Sequence, residues 1–136
     1  MGKPATAASL TWVGEDLRFT ATSGTQTMTL DGNSEAGPSP VQILAFATAG
    51  CMSMDVVEIL RKGRHTVRAL DVAFHGERAQ EPPHRFTSIA IVFTVYGDVP
   101  GDAVRRAIAL SHDKYCSVSN SLRGDIRFTT EFEVRP

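Results

Sequence analysis

The sequence predicts an α+β fold, a single domain over residues 1–136 that combines one long helix with runs of strands. Three observations predict it. A segment from about Pro40 to Lys62 has explicit start and stop signals and an apolar pattern of helical length. Several shorter segments alternate apolar and polar residues with period two. These strand-like segments come in runs, with helices set between the runs, which argues α+β and against a doubly wound sheet.

The chain's 136 residues suffice to bury about two thirds of the unfolded surface. Apolar residues make up 42% and charged residues 21%, an ordinary soluble composition. A net charge of −1 gives no footprint for nucleic acid or an anionic membrane. The first six residues are polar and contain no apolar signal core. Gly2 and Thr6 match a loose acylation pattern, with nothing else arguing for a membrane. Two cysteines are too few for a secreted disulfide scaffold, so a reducing cytoplasm is expected.

Residues 9–13, 17–22 and 27–30 are short candidate strands, punctuated by Gly14, Gly24 and the Asp31-Gly32-Asn33 cluster. The long helix follows. Ser39 is its expected N-cap, Pro40 suits the first helical position, and Gln42 completes a capping box. Gly63 is the expected C′ residue, with Arg61 and Lys62 favouring the negative helix end. The apolar residues of this helix, among them Val41, Leu44, Phe46, Met52, Met54, Val57 and Leu60, occupy more than one stripe. A second subunit is therefore expected to supply part of the cover, making a homodimer. Thr48, Ser53, Asp55 and Glu58 break the apolar run and argue against a membrane span.

Leu70, Val72 and Phe74, then Ile89, Ile91, Phe93 and Val95, mark two further strands. The stretch 76–85 contains Pro82-Pro83 and is expected to be a loop. A second helix is expected from Asp102, as N-cap, to Lys114, with a short helical turn after Cys116. The last strand alternates Ile126, Phe128, Thr130, Phe132 and Val134 with polar residues.

Cys51 and Cys116 are the only thiols. Read alone, Cys51 is a packed core residue in an apolar helix. A reactive thiol needs a nearby cation or helix N-terminus. Cys51 lies about three turns into its helix, beyond much help from the dipole, and Asp55 one turn on raises its pKa. Cys116 is better placed, because a helical turn just after it favours the thiolate. Ser117, Ser119 and Asn120 read as capping groups. His65, His75, His84 and His112 show no metal-ligand spacing and read as solvated surface imidazoles, so no metal or cofactor is expected.

Three segments resemble the OsmC/Ohr family of osmotically inducible and organic hydroperoxide resistance proteins. They are Gly37-Pro-Ser-Pro40 leading to Gly50-Cys51, Asp55-Val-Val-Glu-Ile-Leu-Arg-Lys62, and His112-Asp-Lys-Tyr-Cys116-Ser-Val-Ser-Asn120. The second most resembles the YhfA-like branch. The resemblance implies an intertwined homodimer whose sheets wrap two central helices. It also implies a thiol peroxidase for organic hydroperoxides: Cys51 becomes a sulfenic acid, Cys116 resolves it to a disulfide, and an external dithiol reduces that. In the hydroperoxide-reductase branch a glutamate, at the position of Val41 here, holds an arginine against the thiolate. Gln42 is adjacent but neutral, and Arg18 is the only candidate arginine before the long helix. Val41 keeps a second reading open, a non-catalytic or redox-responsive dimer that binds a small molecule.

Overall fold

The computed structural model describes residues 2–136. They form two compact units that divide between Leu44 and Ala45.

In the first unit, β1 (Ser9–Trp12), β2 (Arg18–Ser23) and β3 (Gln26–Asp31) form an antiparallel meander in chain order. The short tight connection at Gly24 sets the β2–β3 register, which puts Arg18 directly opposite Asp31. Asp31 is fully buried and organises the following loop. One carboxylate oxygen accepts the Asn33 N–H at 2.8 Å, and the other accepts those of Ala36 at 2.9 Å and Glu35 at 3.3 Å. The carboxyl is thereby held below its usual 3.8, chiefly by the Ala36 and Asn33 amides. Gly37 fits this loop because a Cβ there would run into the Thr29 carbonyl.

Helix α1 (Pro40–Lys62) has the expected bounds. Its capping box is reciprocal: the Gln42 N–H donates to Ser39 Oγ at 3.3 Å, and the Ser39 N–H donates to Gln42 Oε1 at 2.9 Å. The C-terminus departs from expectation by one residue. His65 N–H bonds to the Leu60 carbonyl and Arg64 N–H to that of Arg61, a Schellman pair that makes Arg64 the C′ residue, with φ of 65°. Gly63 lies one position earlier. By length and composition α1 is apolar enough to cross a membrane, since its polar residues interrupt the run without lowering its mean hydropathy far. Its inner stripe of Thr48, Met52, Val56 and Leu60 is nevertheless buried within the protein. Phe46 and Met54 remain 64% and 73% exposed.

The second unit continues with β4 (Ala69–Arg78), β5 (Phe86–Tyr96), α2 (Gly101–Leu110) and β6 (Arg127–Arg135). β4 runs two residues past Gly76, so the loop is shorter than the prolines suggested. Gly76 stays in the ladder because the Phe86 ring occupies the space of a Cβ. β5 is central, antiparallel to β4 and parallel to β6, and the parallel pairing requires the crossover through α2. Ile89, Ile91, Phe93 and Val95 join Met52, Val56, Leu60, Val104, Ala107 and Ile108 in one buried cluster. In α2, Pro100 takes the N-cap position expected of Asp102, whose carboxylate pairs with Arg105 instead. Beyond Leu110 the helix widens into a π turn, Ser111–Tyr115, and a 3₁₀ turn, Ser119–Ser121, follows Cys116 as expected.

Candidate functional site

Cys51 and Asp55 are one turn apart on α1 and share a face. The π turn delivers Cys116 to them. Its closing bond runs from the Cys116 N–H to the Ser111 carbonyl at 2.8 Å, and such turns recur at functional sites. The two sulfurs and an Asp55 carboxylate oxygen all lie within 4.8 Å of one another. Both thiols are free; Cys51 is half-buried and Cys116 fully buried.

Backbone amides of the following turn face the sulfurs. The Ser119 N–H donates to Cys116 Sγ at 3.3 Å, and the Val118 N–H bonds to Cys51. The Asn120 amide fixes the turn by donating to the carbonyls of His112 and Cys116, at 2.9 and 2.8 Å. The Ser111 hydroxyl donates to Asp55 Oδ2 at 2.8 Å. Burial pushes the Cys51 thiol up, and the Cys116 thiol and the Asp55 charge push the same way, against the Val118 amide. The opposing action expected of Asp55 is thus present.

Two readings change. His112 is not a solvated imidazole: its ring stacks on Phe128 at 4.3 Å between centroids, and Nδ1 is buried without a hydrogen-bond partner. Asp55 joins the cysteines as a third group able to hold a metal ion, which a search for Cys and His spacing alone passed over. Ser111 was not foreseen, because only the π turn aims it at Asp55.

Arg18 lies in the first unit. Its Nε donates to Asp31 Oδ2 at 3.4 Å, and its terminal nitrogens stand 3.9 and 4.0 Å from Glu15 and Asp16. Val41, in the first turn of α1, offers no carboxylate, and Gln42 spends its amide oxygen on the cap and on the Ser34 hydroxyl at 2.6 Å. The Asp31-Gly32-Asn33 pattern signals a turn, and nothing in it marks the buried charge of Asp31.

A cleft of about 390 Å³ borders the cluster, lined by Asp55, Ile59, Leu110 and Tyr115 among others. It meets the cluster through Asp55, and a larger hollow, about 820 Å³, lies along Met54, Val57, Arg61 and Leu70; neither is lined by a sulfur.

Residues 31–131 match the sequence model of the OsmC-like protein family. The chain belongs to that family. It is 42% identical over 131 residues to Protein YhfA of Escherichia coli K12, covering 93% of this chain and 96% of that one. The solved structure of a hypothetical protein from Aquifex aeolicus VF5 superposes with a TM-score of 0.90 at 26% identity, covering 98% of each chain. An organic hydroperoxide resistance protein OsmC from Legionella pneumophila shares the fold at a TM-score of 0.70 and 14% identity, covering 98% of this chain and all of that one. Both cysteines fall within the OsmC-like segment, and Arg18 precedes it.

Proposed function

We propose that this OsmC-like protein is a thiol peroxidase for organic hydroperoxides. The observation that carries the reading is the cysteine pair: two free sulfurs within 4.8 Å, one half-exposed and one buried. Cys51, the accessible member, attacks the terminal peroxide oxygen as a thiolate, breaking the O–O bond to give an alcohol and a sulfenic acid. Cys116 then condenses with the sulfenic acid, releasing water and forming a disulfide. Closing the pair to a bond of about 2 Å requires a movement of at most about 3 Å. An external dithiol restores both thiols by exchange, which suits a reducing cytoplasm. The cleft beside Asp55, with Ile59, Leu110 and Tyr115, offers an apolar wall to the organic substituent.

Cys51 needs a counter-charge, because its surroundings raise its pKa. We carry Arg18 over from the family resemblance as the candidate for that role; its own carboxylate partner is Asp31. The reading as a homodimer rests on the exposed Phe46 and Met54 of α1.

The test is peroxide consumption coupled to a dithiol. Cys51→Ser abolishes it, and Cys116→Ser stops after one turnover with a sulfenic acid trappable at Cys51. Arg18→Ala slows the first step at least about tenfold, on the order of one pKa unit of thiolate. Consumption that persists in Cys51→Ser overturns the assignment. The raised thiol and Val41 favour the second reading, a redox-responsive dimer that binds a small molecule. Under it the disulfide forms with peroxide but does not turn over.

A further inference from the structure

Three groups that lose a proton to become anions converge on one point, and their types are those of a transition-metal site. We propose that Cys51, Asp55 and Cys116 form a site for a thiophilic divalent cation, Zn²⁺ in the first place, with a fourth coordination position left to solvent. The proposal stands on the geometry of the cluster and is independent of its peroxide chemistry.

In a tetrahedral zinc site, with zinc–sulfur bonds of about 2.3 Å and zinc–oxygen bonds of about 2.1 Å, neighbouring ligand atoms stand roughly 3.6–3.8 Å apart. The three ligand atoms here already lie within 4.8 Å of one another. A contraction of about 1 Å, which side-chain rotations of Cys51 and Asp55 on one helix face can supply, brings them to bonding geometry. Two sulfurs and one carboxylate select Zn²⁺ over Mg²⁺ or Ca²⁺, which prefer all-oxygen shells.

The surroundings of the cluster are those a metal site uses. The Ser111 hydroxyl holds Asp55 Oδ2 at 2.8 Å and leaves the other oxygen for a ligand bond. The Ser119 amide holds Cys116 Sγ at 3.3 Å, orienting it and stabilising the thiolate. Asp55 also lines a cleft of about 390 Å³, so the carboxylate ligand faces open space, and Cys51 is only half-buried.

The step is an exchange of protons for metal. Zn²⁺ forms two bonds to sulfur and one to oxygen, two thiol protons leave to solvent, and no electrons move. The resulting centre carries a charge of −1. While it is occupied, neither sulfur is free to attack a peroxide or to close the disulfide, so the metal acts as a reversible block on the pair.

The experiment titrates Co²⁺ into the reduced full-length protein without oxygen or peroxide and follows thiolate-to-cobalt absorption, then displaces the cobalt with Zn²⁺. One ion per chain is expected, with two protons released and both thiols protected from alkylation. Cys51→Ser and Cys116→Ser each weaken binding by more than about 100-fold, and Asp55→Asn by about tenfold or more. Unchanged far-UV circular dichroism and melting temperature of the variants control for their folding, and wild-type protein with the accessible Cys51 alkylated binds no cobalt. Absence of thiolate absorption, or binding that survives alkylation or the serine variants, overturns the proposal. Because no peroxide is used, failure here leaves the peroxidase reading standing, and an inactive peroxidase that binds cobalt leaves the metal site standing.

Discussion

From Ala45 onward, β5 places Ile89, Ile91, Phe93 and Val95 in one buried cluster with Met52, Val56 and Leu60 of α1 and Val104 and Ile108 of α2. In the first 44 residues five large apolar side chains are left in the open, Leu10, Trp12, Val13, Leu17 and Met28 at 42–56% exposed, while Phe19 and Leu30 are half-buried. The first unit's fully buried residue among those described is the charged Asp31. One unit is held by apolar packing, and the other by a strand ladder and a carboxylate that collects backbone amides. A three-stranded sheet without a covered apolar face is marginal in water. The contrast teaches that the first unit is built to be covered, and the proposed homodimer supplies a second chain to cover it.

The largest expected effect lies in the packed unit. Phe93→Ala should cost about 3–5 kcal/mol in urea unfolding while leaving the native mass in solution unchanged. A loss below about 1 kcal/mol would mean that the cluster is not the source of stability. Next is the open unit. Leu10→Lys combined with Trp12→Glu should weaken self-association by more than about 100-fold, the effect of losing two anchors at about 1.4 kcal/mol or more each. Light scattering should then give the 14.7 kDa chain mass, where the proposed wild-type dimer should give about twice that. A double variant that stays dimeric at the same dilution would break the comparison.

The smallest effect concerns Asp31. Its folded-state pKa lies below the usual 3.8, so its contribution is complete above that value and is lost as pH falls from 3.8 towards the lowered pKa. The melting temperature of the wild type should drop in that window, and that of Asp31→Asn should begin lower and drop less. Parallel curves would show that the amides and Arg18 do not stabilise the charge.

What the sequence disclosed depends on whether the signal was local. The bounds of α1 were legible because Ser39, Pro40 and Gln42 state the start within four residues. Ile89 to Val95 were legible because a central strand buries one alternation completely. The one-residue error at Arg64 arises because the left-handed position is set by the Leu60 and Arg61 carbonyls, which pulled in a non-glycine residue. The π turn was not legible, since Ser111-His-Asp-Lys-Tyr115 suits an ordinary helix and the wider turn carries no residue signature of its own. That turn is what brings Cys116 to Cys51 and turns Ser111 towards Asp55, so the meeting of the two sulfurs and the hydroxyl that supports Asp55 came only with the fold.

The central claim is that Cys51 and Cys116 act as one redox pair, and the most direct measurement is the intact mass of the reduced protein after one equivalent of cumene hydroperoxide. The account predicts loss of two hydrogens in the wild type, with peptide mapping that joins Cys51 to Cys116. In Cys116→Ser it predicts gain of one oxygen on Cys51. Wild-type protein that keeps its reduced mass, with both thiols alkylated once it is denatured, would contradict it.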